Sequence, residues 1–170
     1  SSPLAPLIRQ LTLAAGFALA VRPVQAETIM TDTQELEAGE VKIAVADGEI
    51  PAYRVRPQTA KKPPVVLVVQ EIFGVNSHIR RVVEQYAAAG YLAAAPALFD
   101  RQKRDVELAY DAKGVEQGVQ YMMKADPAGL AADLNASIDA ATRAGKVGMV
   151  GYCWGGKVTY LAGCRTNIAA

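Results

Sequence analysis

At 170 residues the chain is sized for one domain. Hydrophobic residues make up 51% of it, and 18 basic residues face 17 acidic ones for a formal net charge of +1. This balance supplies a core and sets aside nucleic acid as a partner, since no basic patch with interleaved aromatics is present.

The chain opens with a stretch, Leu4 to Ala26, that carries no acid. Within it, Leu11 to Val21 is an apolar run too short to span a bilayer comfortably, preceded by Arg9 and followed by Val24-Gln25-Ala26 and then Glu27. The pattern reads as a partial export signal over residues 1–26, which would place the mature protein in the periplasm or beyond. The alternative is an amphipathic helix packed on the domain of a cytoplasmic protein. Residues 27–40 read as a polar extension, and residues 41–170 as one α/β domain.

The domain begins with a hairpin, Val41–Val45 and Ile50–Val55, around an Asp47-Gly48 turn. Gln58 to Pro64 is a loop. Val65 to Val69 is a continuous aliphatic run, as in a strand buried on both faces of a parallel sheet. Ser77 can cap a helix carrying Ile79, Val82, Val83 and Tyr86 at helical spacing, with Gly90 as its stop. Tyr91 to Ala95 is the next strand, ended by Pro96. A helix is predicted over Asp105 to Lys124, weakened by Gly114 and Gly118. Asp126-Pro127 then caps another, with Leu130, Leu134, Ile138 and Ala141 as its apolar stripe and Gly145 as its close. Strands alternating with helices predict a mostly parallel α/β sheet with helices on both faces and sites at the C-terminal strand ends.

The last strand, Lys146 to Tyr152, runs directly into Gly151-Tyr152-Cys153-Trp154-Gly155-Gly156. A helix follows, with Val158, Leu161 and Ala162 on one face. This is the G-x-S-x-G pattern of a nucleophile elbow, with Cys in place of Ser. Residues two before and two after the nucleophile must be nearly free of side chain for strand and helix to approach. A thiol at a helix N-terminus is biased toward thiolate, and the Trp154 amide is placed to serve an oxyanion. Cys164, about three turns along the same helix, lies beyond disulfide reach of Cys153 and reads as a separate thiol. Glu71 ends the Val65–Val69 strand; it either serves the thiol as a base or sits at the surface paired to Arg80 or Arg81.

Together, Gln70-Glu71-Ile72-Phe73-Gly74-Val75-Asn76, Gly90-Tyr91, Pro96-Ala97-Leu98-Phe99 and Gly148 to Gly156 resemble the dienelactone hydrolase family of α/β-hydrolases. The resemblance spans Gly39 to Ala170. It implies an α/β-hydrolase-type sheet and a hydrolase of small-molecule lactones or esters that needs no cofactor or metal; the short Leu11–Val21 run separately argues against a stable membrane span. It further implies Cys153 as nucleophile, Glu71 as its activator, and the amides of Ile72 and Trp154 as oxyanion donors. The family's Asp and His lie downstream of the elbow. The expectation is therefore of a chain cut after the elbow helix and inactive as it stands. Its one histidine, His78, precedes the elbow and reads as structural or pocket-lining. The family also holds the substrate carboxylate with a tyrosine, matched here by Tyr110, and an arginine. Val106 stands at the arginine position, with Arg101 and Arg104 nearby; Arg101 is carried as the candidate. The rival readings are a non-catalytic α/β module and a redox-sensing thiol protein, the latter lacking a resolving cysteine near Cys153.

Overall fold

Five consecutive aliphatic residues, Val65–Val69, form β3, and every one of them is buried. Because side chains alternate along a strand, Val65, Leu67 and Val69 pack to one side with Leu134, Ile138, Ala141, Val158 and Ala162. Val66 and Val68 pack to the other with Ile79, Val82, Val83 and Ala87. A strand dry on both faces is the centre of a helix–sheet–helix sandwich, and each such side chain contributes about 1.5–3 kcal/mol on burial.

The computed structural model describes residues 36–164. The expected export signal and the start of the polar extension lie outside the described residues. In chain order the elements are β1 (Leu36–Val45), β2 (Gly48–Pro57), β3, α1 (Ser77–Ala88), β4 (Leu92–Pro96), α2 (Ala112–Lys124), α3 (Pro127–Thr142), β5 (Val147–Gly151) and α4 (Trp154–Gly163). The sheet order is β1-β2-β4-β3-β5. β4, β3 and β5 are parallel, and the β1–β2 hairpin joins antiparallel through β2 on β4. Among the described residues no helix is long and apolar enough to cross a membrane.

Local chemistry explains where elements begin and where the sequence reading shifts. β1 starts at Leu36, opposite Pro57, so Leu36 to Glu40 belong to the hairpin rather than to the extension. Exposed Glu37 and Glu40 are the charged side chains expected of an edge strand. The two turn residues are Ala46 and Asp47, and Gly48 opens β2. Asn76, not Ser77, caps α1: its carboxamide oxygen accepts the Ile79 N–H at 3.2 Å. α3 starts as read, with the Asp126 carboxylate on the Gly129 N–H at 2.7 Å and Pro127 in the first turn.

The largest departure is at residues 105–111, predicted helical. α2 begins only at Ala112, capped by Asp111, which accepts the Gly114 N–H at 2.7 Å. The preceding residues are drawn instead onto the loop after β3. Leu108 N–H donates to the Phe73 carbonyl at 2.9 Å, and Glu107 bridges Gly74. A Cβ on Gly74, whose φ is +78°, would stand 1.8 Å from the Val106 carbonyl oxygen. Only glycine admits this approach. Tertiary pairing overrides helical propensity here.

Candidate active site

The helix after β3 packs on one face of the sheet and the helix after β5 on the other, although the two strands are neighbours. The chain therefore parts at their C-terminal ends, the place where α/β sheets form crevices. Val69 pairs with Gly151 as the last register pair. Two residues further along each strand come Glu71 and Cys153. Neighbouring strands lie about 4.8 Å apart, so the register brings this carboxylate and this thiol to one end of one strand pair.

At Cys153 the strand becomes helix in a single residue. Its φ is +54° and its ψ −121°, a left-handed conformation that costs a non-glycine residue about 1–3 kcal/mol. The flanking glycines make the turn possible. A Cβ on Gly151 would stand 2.0 Å from the Gly155 carbonyl oxygen, and one on Gly155 would stand 2.4 Å from the carbonyl oxygens of Val69 and Gln70. The thiol is exposed and makes no capping bond to its own helix. Cys164, the C-cap of the same helix, is free and exposed as well.

Glu71 is 0% exposed, which removes the surface-pair alternative; Arg80 is paired with Glu107 at 2.8 Å instead. Burial pushes the Glu71 carboxyl above the usual carboxylate range, while a hydrogen bond from Tyr110 and the charge of His78 pull it back. The Tyr110 hydroxyl donates to Glu71 Oε2 at 2.5 Å, and Oε1 is buried with no partner among the described residues. Burial and the Glu71 bond push the Tyr110 phenol up, and Cys153 adds to the effect, so these three groups share one field. His78 is half-buried, with its ring edge toward Tyr110 at 6.0 Å between centroids.

The amides expected to face an oxyanion are open. Trp154 is the first residue of α4, where an N–H has no intrahelical partner. Among the described residues neither it nor the Ile72 N–H is donated to a protein acceptor.

Arg101 is not brought to this group. Its guanidinium grips the buried Asp133 through Nε and Nη2 at 2.6 and 2.7 Å, and Asp47 of the hairpin turn through Nη1 and Nη2. Two carboxylates in fork geometry occupy four of its five N–H donors, so Arg101 is a tie between the hairpin and α3 rather than a free substrate ligand.

Sequence reasoning missed the supports. Gln70 is fully buried, and its Oε1 accepts the Leu98 N–H at 3.0 Å while its Nε2 donates to the Glu71 carbonyl at 3.2 Å. Phe99 stacks between Trp154 and Tyr121, at centroid distances of 5.1 and 5.4 Å, and joins the start of α4 to α2. Gly118 brings α2 against the Ile72 carbonyl. The signal for the last was the glycine pair inside a predicted helix.

The family model described as dienelactone hydrolase family matches residues 50–170. A Methylorubrum extorquens protein provisionally named carboxymethylenebutenolidase is 46% identical over 156 residues, covering 88% of this chain and 53% of its own. The Pseudomonas putida carboxymethylenebutenolidase is 38% identical over 112 residues, covering 62% and 48%. A crystal structure of a provisionally named dienelactone hydrolase from Klebsiella pneumoniae superposes with a TM-score of 0.66 at 38% identity, over 77% of this chain and 55% of that one. The chain spans about half the length of the curated relatives it matches. A mixed sheet with its parallel strands covered by helices on both faces, a strained cysteine between strand and helix, and a family match over most of the chain agree: this chain belongs to the dienelactone hydrolase family.

Proposed function

We propose that the protein hydrolyses lactone or ester bonds of small molecules through Cys153. The observation that carries this reading is the strained Cys153 at the N-terminus of α4, in register with a buried glutamate whose Oε1 has no partner among the described residues. Glu71 Oε1 takes the thiol proton, and the thiolate attacks the carbonyl carbon. The carbonyl oxygen becomes an oxyanion served by the Ile72 and Trp154 amides. Its collapse breaks the C–O bond and leaves a thioester on Cys153, while the leaving oxygen takes up a proton relayed by the histidine that the family carries downstream of the elbow. Water then cleaves the thioester, releasing the acid and restoring the thiol. No cofactor or metal enters these steps.

Export through the N-terminal apolar stretch is part of the same proposal, and cell fractionation reads it directly. The family's histidine follows the elbow, whereas His78 precedes it. The 170-residue chain alone is therefore expected to be silent toward p-nitrophenyl acetate and an enol-lactone. A chain extended to the length of its relatives is expected to be active. In that longer chain Cys153→Ser should abolish turnover, and Glu71→Gln should slow it by roughly 10²–10⁴-fold, as for loss of a general base. Turnover that survives Cys153→Ser would refute the proposal.

A further inference from the structure

Tyr110 lies in the loop that precedes α2, one residue before the Asp111 cap. Its ring packs on Phe73 at 4.4 Å and meets the edge of His78 at 6.0 Å. The loop itself is fastened to the glutamate loop. Leu108 N–H donates to the Phe73 carbonyl at 2.9 Å, and the Asn76 carboxamide donates to the Leu108 carbonyl at 3.5 Å. So placed, the Tyr110 hydroxyl spends its one proton on Glu71 Oε2. It has none to offer a substrate carboxylate while that bond stands.

We propose that Tyr110 is a positioning residue for Glu71, fixing Oε2 so that Oε1, buried and without a partner among the described residues, is the atom left to take the Cys153 proton. The proposal rests on the reading of Glu71 as base. The side chains that act on Glu71 or feel it are Tyr110, His78 on α1 and Tyr152 beside Cys153. Of these, Tyr110 is the hydrogen-bond donor, and donation to an ionised carboxylate favours that form against its burial.

The test follows the Glu71 carboxyl by carbon NMR of the 170-residue chain with labelled glutamate, the resonance being identified by its loss in Glu71→Gln. Its titration midpoint should move to higher pH in Tyr110→Phe. It should move to lower pH when 3-fluorotyrosine, a stronger donor of the same shape, replaces Tyr110. The fluorinated protein decides the matter if Tyr110→Phe fails to fold. A midpoint unmoved by fluorination would overturn the proposal, as would a Tyr110→Phe enzyme of full length whose only defect is a raised KM for carboxylate-bearing esters. Failure of the base reading shows separately: Glu71→Gln would then leave the pH dependence of Cys153 alkylation by iodoacetamide unchanged in a Cys164→Ser background.

Discussion

Gly118 lies against the carbonyl of Ile72, so close that a Cβ on it would stand 2.4 Å from that oxygen. The contact sets the peptide whose neighbouring amide is the proposed oxyanion donor. Gly118→Ala must push α2 outward or twist the glutamate loop, and overpacking of this kind costs about 1–3 kcal/mol. The loss should appear in urea denaturation, and hydrolysis by a full-length chain should fall with it. Gly163→Ala is the control: nothing lies within 4 Å of its Cβ position, and alanine favours a helix by about 0.5–1 kcal/mol. Equal stability of the two variants would show that the approach at Gly118 is not needed.

The buried Gln70 holds two loops together, one bond to Leu98 and one to the Glu71 carbonyl. Gln70→Leu keeps most of the volume but leaves the Leu98 N–H buried without an acceptor. An orphaned donor costs about 1–3 kcal/mol, more than the net worth of the bond it replaces. Calorimetry should show a lowered melting temperature, and amide exchange at Leu98 should accelerate. Unchanged exchange there would mean that another acceptor takes over.

What could be read in advance divides along a physical line. β3, α1 and α3 are specified by local pattern, because an aliphatic run and a 3.6-residue stripe need no partner to be recognised. The turn at Cys153 is equally local: glycines two residues to either side leave room for one geometry. Residues 105–111 were not legible, because their conformation is set by Phe73 and Gly74, more than thirty residues away. The same holds for Arg101. Nothing near it in sequence announces Asp133 and Asp47, and a nearby arginine looks like a ligand until its partners are known. That Glu71 is not a surface pair could not be read before its burial was known.

The Arg101 tie makes its own prediction. Asp133 is 1% exposed, and Arg101 supplies its two charged hydrogen bonds. Arg101→Ala leaves a buried carboxylate without its cation, which is strongly unfavourable, whereas removing both charges relieves it. The single variant should melt several degrees lower. Adding Asp133→Asn should recover part of the loss, and Cys153 alkylation should be unaffected throughout. Slowed alkylation in a folded Arg101→Ala protein would return Arg101 to the site.

Glu71 itself should make the fold weaker as the pH rises. Burial, the largest influence, raises its folded pKa above the ordinary value of 4.5, against the smaller pulls of Tyr110 and His78. Below pH 4.5 the folded and unfolded chains both carry the proton, so wild type and Glu71→Gln should differ little in their pH dependence. Between that value and the raised folded pKa the unfolded chain has lost the proton while the folded chain keeps it. Unfolding then releases a proton, and stability falls with rising pH. Above the folded pKa the loss is complete and levels off. Glu71→Gln keeps a neutral side chain of the same shape throughout. Its stability advantage over wild type should therefore open from about pH 4.5 upward and reach a plateau, leaving Glu71→Gln the more stable protein at neutral pH. Urea denaturation of both proteins between pH 4 and 9 measures the difference, in which the other titrating groups cancel to first order. A flat difference would mean that Tyr110 and His78 cancel the effect of burial, and one that favours wild type as the pH rises would mean that they outweigh it and hold Glu71 as a stabilising anion.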